Sequence, residues 1–521
     1  MKKSFVFITL VVLLTGRISA QQHSSLPVML AVKAVQKMDD KELSVKLDNT
    51  EHVYRVDANT LEDVLLALLK DKKILYYPDA VFTEKIREMN PQIAGKKIFE
   101  AGVFVVPQTF GGKSEKRYGL NYGAKEHWVC DEAEAAQHLQ DLLASYTNPE
   151  QWEARKKMLR ENILRQIQLD SLPQKNPLNP IYGKTRHYKG YTVTNVALET
   201  LQGYWLCGSL YQPVNSKGKT PVMLCPHGHF YSEDNMMLIS ERGRFRPDMQ
   251  YRCAMLARMG ITVFSYDMFA YGGEASLQAP YPDAHHSSFA LTMQLWNSIR
   301  VTDFLCSLES TDQTKIGITG ASGGGTQTFL LSAVDPRITF SIPAVMVSAH
   351  FYGGCGCESG LPIHQTHCGL NTNNAEIAAM FAPRPQLLIS IGTDWSKNTP
   401  TTELPYLKKI YGYYGSANNI ENVHIPNEKH DYGHTKRQAL YDFVGRVCGI
   451  DTKKFKDAQG RYIEKDVTIE SADNLLVFGN GRIVNGYYVL QPVKTRPMMP
   501  ATEIHGAEDL KKVLKKQQNV L

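Results

Sequence analysis

Past residue 20 this 521-residue sequence has no uninterrupted apolar run long enough to span a bilayer, so a polytopic membrane protein is excluded. It has no internal repeat and no low-complexity tract. With 43% apolar and 21% charged residues, and Gly and Pro near their usual levels, it is not collagen-like, disordered or a coiled coil. Charge of one sign is not in excess either. Residues 1–20 hold Lys2, Lys3 and Arg17 and no acid, so without them the net charge falls from +6 to +3. That balance gives no case for a nucleic-acid partner. Cysteine is sparse, nine in all, and none precedes Cys130, so lipidation directly behind the N-terminal leader is not expected.

The leader itself is legible. Lys2 and Lys3 precede the apolar run Phe5 to Leu14, and Ser19-Ala20 offers a small-residue cleavage site before Gln21. The pattern predicts a secretory signal peptide over 1–20, hence a secreted or periplasmic protein with no integral span after cleavage. An odd cysteine count in an oxidising compartment leaves at least one thiol unpaired. Cys207, Cys225, Cys253, Cys306 and Cys448 lie in apolar stretches and read as small buried hydrophobes. Cys355, Cys357 and Cys368 cluster instead in a Gly-rich loop with His350, His364 and His367. No standard zinc spacing is present there, and a loop-pinning disulfide, Cys357 with Cys368, is the preferred reading over a metal site.

Residues 21–130 carry no chemical motif and read as an N-terminal α/β appendage, with a helix at Thr60 to Lys70. A helical lead-in follows at 131–180, as Asp131 to Ser145 and Pro149 to Leu169, closed by a Pro/Asn-rich linker. From residue 185 the pattern becomes regular. Tyr191 to Thr200 and Tyr204 to Gln212 alternate as an antiparallel pair. Apolar strands (221–226, 261–267, 315–319, 338–348, 386–391, 422–426) then take turns with amphipathic helices (249–258, 289–308, 323–334, 374–381, 403–413, 436–447). Strands buried on both faces and joined by crossover helices predict an α/β fold, a mostly parallel sheet flanked by helices, up to residue 450. The extension 451–521, with β-like runs at 466–470, 475–478 and 487–490 and a basic helix from Ala507, is expected to pack on that domain.

Gly320-Ala321-Ser322-Gly323-Gly324 fits G-x-S-x-G, and its setting carries more weight than the pattern. A strand ends at Gly320 and a helix opens at Gly323, the context of a nucleophile elbow. Ser322 then stands at a helix N-terminus, where N–H groups favour developing negative charge. No Lys follows in Walker spacing. His227-Gly228-His229 directly follows an earlier strand, so the backbone N–H groups of Gly323 and His229 are the candidate oxyanion donors. The two histidine side chains remain open between metal binding, loop packing and a part in the site. Asp394 closes the strand 386–391, where a triad acid would sit; Glu403 is the weaker substitute. His430 is preferred over His434 as the base, because it lies in the loop before the helix.

These landmarks, with Ser265-Tyr266-Asp267-Met268, Asn371 to Glu376, Asp394 to Pro400 and His430-Asp431-Tyr432, resemble the α/β-hydrolase superfamily from about Trp152 to Phe478. More narrowly, they resemble bacterial secreted carbohydrate esterases of the acetylxylan-esterase-like kind. The resemblance implies a serine esterase without cofactor or metal, acting on plant cell-wall polysaccharide and removing acetyl groups or uronate methyl esters. The alternatives are a serine peptidase of the same superfamily and a non-catalytic glycan-binding homologue. An N-terminal part of about 130 residues is too short for the propeller such peptidases carry, and an intact Ser322, Asp394 and His430 argues against the binder. Arg242, Arg244 and Arg246 form a basic run that reads either as a solvated loop or as a uronate site, since Arg forks pair with carboxylates. Trp395 and Tyr271 either stack on a sugar ring or line the pocket. Asp267 reads as a structural turn carboxylate and Trp296 as core.

Overall fold

The computed structural model describes residues 130–478 apart from breaks, of which 230–241 is the longest. Outside that span it describes only short strands. Met29–Lys37, Glu42–Leu47 and Val53–Asp57 pair antiparallel in that order, and Ala501–Ile504 runs parallel beside the third. The expected leader, except for the strands Phe7–Ile8 and Val11–Leu13, lies outside the described residues, as do the helix at Thr60 to Lys70 and the terminal helix from Ala507.

Two helices open the main body, α1 (Glu132–Ser145) and α2 (Pro149–Gln166). Asp131 caps α1 by accepting from the N–H of Ala133 at 2.8 Å and of Glu134 at 3.3 Å, which satisfies two donors the first turn cannot. The strands and helices that follow are β1 (Ile181–Tyr182), β2 (Arg186–Tyr188), β3 (Tyr191–Leu201), β4 (Tyr204–Pro213), β5 (Thr220–Pro226), α3 (Pro247–Arg258), β6 (Thr262–Tyr266), α4 (Phe289–Ser307), β7 (Thr311–Ala321), α5 (Gly323–Val334), β8 (Phe340–Ala344), α6 (Asn374–Ala379), β9 (Gln386–Ile391), α7 (Leu404–Gly412), β10 (Ile420–Ile425) and α8 (His434–Cys448). They build a 10-stranded sheet in the order β10-β9-β8-β7-β5-β6-β4-β3-β1, with β2 also on β3. The pairs from β6 to β10 are parallel; β4, β3, β1 and β2 are added antiparallel.

Side chains alternate across each strand, so both faces of the sheet are apolar. Val222, Leu224, Ile316 and Ile318 pack with α1, α2, α4, α5 and α7 on one face. Met223, Cys225, Val263 and Ile342 pack with α3, α8 and the residues after 460 on the other. The lead-in helices belong to this core: Trp152 is fully buried, and Arg155 Nε meets Glu376 of α6 at 2.8 Å.

Two expectations are corrected. The strand expected over 338–348 ends at Ala344, because Val345 takes a left-handed φ of 47°. The runs 466–470 and 475–478 are not strands; Ala472–Leu475 is a short helix. Leu475, Leu476, Val477 and Phe478 are apolar because they dock on the core, not because they pair in a sheet.

The sheet order positions the chemistry. From β5 the chain goes to β6 on one side, then crosses to β7 on the other. The crevice beyond the C-terminal ends of β5 and β7 is the switch point at which open α/β sheets bind ligands.

Candidate active site

Ser322 sits in the single-residue turn between β7 and α5 with φ 57° and ψ −125°. A non-glycine residue there is strained by about 1–3 kcal/mol. Its surroundings hold it in place. A Cβ on Gly320 would lie 2.6 Å from the backbone of Gly324 and from the Pro226 carbonyl oxygen, and a Cβ on Gly324 would meet that oxygen at 2.7 Å. The Ser322 N–H donates to the Ala344 carbonyl at 3.1 Å, tying the turn to β8. Gly228 closes the other side: a Cβ there would lie 2.4 Å from the Ala321 oxygen and 2.9 Å from Ser322 Cβ. The turn after β5 therefore presses directly on the elbow, which brings the main chain of residues 228–229 beside Ser322.

Asp394 follows β9 and His430 follows β10, two neighbouring strands, and the structure brings them together. Asp394 Oδ2 lies 2.6 Å from His430 Nδ1. A carboxylate only accepts, so Nδ1 carries the proton and Nε2 keeps its lone pair. Asp394 Oδ1 accepts from the N–H of Ser396 at 2.7 Å and from its hydroxyl at 2.6 Å, fixing the carboxylate plane. Trp395 stacks on Phe351, ring centroids 4.0 Å apart, and its ring lies 4.6 Å from that of His430. The His430 loop is braced from below by buried Lys436, whose Nζ donates to Glu428 and Asp431 at 2.8 Å each. Ser322 and His430 line one cleft of about 420 Å³, counting space open to solvent, with Gly228, His229, Arg246 and Arg252 also on its walls. His434 opens α8, where its Nε2 is 3.1 Å from Gln438 Nε2. Glu403 is buried and accepts from the Ala349 N–H at 2.8 Å, a packing role.

The basic run splits. Arg244 is fully buried, pairing with Asp267 at 2.8 Å and Glu274 at 3.0 Å and donating to Ser209 at 3.0 Å. Its guanidinium is sealed in an ion-pair network, which corrects the expectation that it binds substrate and gives Asp267 its structural role. Arg242 is half-buried ahead of the 3₁₀ turn Gly243–Phe245 and is not on the cleft wall. Arg246, held by Asp248 at 2.8 Å, does reach the cleft. So does Arg252, a residue of α3 that local sequence gave no reason to single out. Its side chain is buried, its guanidinium lies over the Tyr432 ring at 4.2 Å, and among the described residues no carboxylate is in ion-pair contact with it. Trp296 is core, as expected, its Nε1 donating to the Thr200 carbonyl at 2.9 Å.

The two histidines after β5 separate as well. His227 Nε2 accepts from the Met268 N–H at 3.1 Å and its Nδ1 donates to the Gly228 carbonyl at 2.9 Å. Burial pushes its pKa down to about 3, so it is a neutral strut. The His229 ring reaches His285, Cys355 and Cys357. Tyr271 stacks on His285 at 4.3 Å and meets His229 edge-on, so it packs this cluster. Cys355 and Cys357 are both free thiols, and the pairing expected between Cys357 and Cys368 falls on a residue outside those described. Cys368, His364 and His367 lie outside the described residues, and His350 pairs with Ser348 instead, Nδ1 to Oγ 3.0 Å.

No family model matches the chain, and no curated protein does. Among solved structures, Methylesterase BT1017 is 36% identical, covering 78% of this chain and 91% of its own, with a TM-score of 0.62. A glucuronoyl esterase from Teredinibacter turnerae (15% identity, 63% of this chain and 94% of that one, TM-score 0.46) and an acetyl xylan esterase from Paenibacillus sp. R4 (18%, 60% and 98%, 0.40) are more distant. Identity of that degree to the methylesterase, over most of both chains and on the same mostly parallel sheet, places this chain in the carbohydrate-esterase family of the α/β-hydrolase superfamily, whose members are carboxylic-ester hydrolases.

Proposed function

We propose that the protein is an exported serine esterase that removes methyl groups from esterified uronates of plant cell-wall polysaccharide. Ser322 Oγ attacks the ester carbonyl while His430 Nε2 takes its proton, and Asp394 orients the ring and stabilises its cationic form. The N–H groups of Gly323 and His229 receive the negative charge of the tetrahedral intermediate. His430 then returns the proton to the departing methoxide, and methanol leaves. The uronoyl–Ser322 ester that remains is cleaved by a water activated by the same imidazole.

The observation that carries the methyl-ester reading is Arg252. A buried guanidinium on the wall of the cleft that holds Ser322, with no carboxylate in ion-pair contact among the described residues, suits a uronate carboxylate of the polymer. The 36% identity to a methylesterase supports the same choice over an acetyl ester.

The test uses the purified chain and its Ser322→Ala variant on methyl-esterified pectin and on acetylated xylan, with free methanol and acetate quantified. Methanol release from pectin that vanishes in the variant is the expected result. Acetate release alone makes the protein a deacetylase, and activity retained by Ser322→Ala refutes the nucleophile. Arg252→Gln should raise KM for the polymer while leaving hydrolysis of a small uncharged methyl ester near wild type.

A further inference from the structure

The ligand atoms of His229, His285, Cys355 and Cys357 all lie within 4.8 Å of one another. His285, Cys355 and Cys357 are buried, and the side chain of His229 is 3% exposed. Each imidazole is oriented from outside the cluster. His285 Nδ1 lies 2.7 Å from the Phe269 carbonyl oxygen, which only accepts, so that nitrogen carries the proton. His229 Nδ1 faces Glu358 Oε1 at 3.4 Å, which fixes its tautomer the same way. Both Nε2 lone pairs then point inward, 2.8 Å from each other, and His229 Nε2 is 3.0 Å from Cys357 Sγ. Two imidazole nitrogens and two sulfurs thus converge on one buried point, the donor set and the spacing that a tetrahedral cation takes.

We propose that His229, His285, Cys355 and Cys357 together hold one zinc ion. Two thiolates and two neutral imidazoles around Zn²⁺ give a neutral core, the charge state burial favours. Bond lengths of about 2.0–2.3 Å put the donors of a tetrahedral N₂S₂ site about 3.3–3.8 Å apart, so donors 2.8 Å apart at the histidine pair and within 4.8 Å throughout close on the metal with small shifts. The carboxylate and carbonyl behind the two histidines are the outer partners that metal-bound imidazoles use. Binding displaces the two thiol protons to solvent and changes no oxidation state. Four protein ligands leave no open position, so the ion is structural. It ties three separate segments: the turn after β5, the stretch before α4 and the loop after β8. It also abuts the elbow, for a Cβ on Gly323 would meet His229 Cε1 and Glu358 Oε1 at 3.0 Å each.

The full chain, purified under reducing conditions from zinc-supplemented medium, is assayed for metal by elemental mass spectrometry and for thiols with and without chelator. About one zinc per chain is expected, lost in Cys355→Ser and in Cys357→Ser. Replacing it with cobalt should give the thiolate charge-transfer and visible bands of a tetrahedral N₂S₂ centre. The cobalt spectrum needs only wild-type protein, so the test stands if the serine variants fail to fold. Reduced protein that takes up neither zinc nor cobalt overturns the proposal, as do zinc retained by both serine variants and a Cys355–Cys357 disulfide in the chain as isolated. None of these readouts depends on esterase activity.

Discussion

Gly228→Ala is the sharpest perturbation of the proposed oxyanion hole, because it adds one methyl group and removes no chemical function. The new Cβ would lie 2.4 Å from the Ala321 carbonyl oxygen, against 3.4 Å for ordinary contact, so one side must move by about 1 Å. The elbow cannot yield: Gly320 and Gly324 are already in contact with β5, and the Ser322 N–H is bonded to Ala344. The turn after β5 must therefore withdraw, taking the His229 N–H with it. Loss of one oxyanion donor costs about 10²–10³ in kcat, and a misplacement of this size is of similar effect. The methyl group should cost about 1–3 kcal/mol in stability, leaving a folded protein. The assay is methanol release at saturating pectin, with thermal melting as the control for folding. A folded Gly228→Ala with wild-type kcat would refute both the rigidity of the contact and the donor assigned to His229.

Asp394→Asn should keep the melting temperature and lower kcat by about 10⁴, because an amide stabilises the wrong imidazole tautomer; steady-state kinetics decides it, and a loss under tenfold would demote Asp394. Arg244→Met strands Asp267 and Glu274 in the core, so urea unfolding should show a loss of about 3–5 kcal/mol while KM of the folded fraction is unchanged. A raised KM at wild-type stability would restore Arg244 to the substrate. Burial raises the Glu403 carboxyl from 4.5 to about 7. The unfolded chain therefore loses this proton first as pH rises. Its contribution to stability is full below about pH 4.5 and is lost through pH 7, by up to about 3 kcal/mol. Glu403→Gln should flatten the unfolding free energy between about pH 5 and pH 8, and an unchanged slope would assign the titration elsewhere.

The main sheet was legible because its signals are local. Gly323–Val334 is helical over the span that periodicity predicts, and β9 begins and ends where the apolar run does. The elbow was legible for the same reason: strand, Gly-x-Ser-x-Gly and helix occupy a dozen consecutive residues. The arginine run shows where local reading stops. Arg242, Arg244 and Arg246 are equivalent in sequence, yet one is half-buried, one lies in the core between two carboxylates, and one reaches the cleft. Alternation along a chain does not report which partner arrives from 30 residues away, as Glu274 does for Arg244. Arg252 was invisible because a helix residue facing a cleft has the same local signature as one facing solvent.

The sulfur cluster fails the same test more severely. Metal motifs read from sequence are short because a single hairpin or helix supplies two ligands at once. Here only Cys355 and Cys357 are close in the chain, and the histidines come from the ends of β5 and of the segment before α4. What joins them is the order of the sheet: β5 lies between β6 and β7, so the turns leaving those strands meet at one edge, beside the loop that leaves β8. His229 stands at that meeting point. Its main chain is pressed on the elbow through Gly228, and its ring is clamped by Glu358, His285 and Cys357. A ring held on that many sides cannot rotate without moving its own N–H. The side-chain cluster therefore braces the same turn that carries the proposed oxyanion donor.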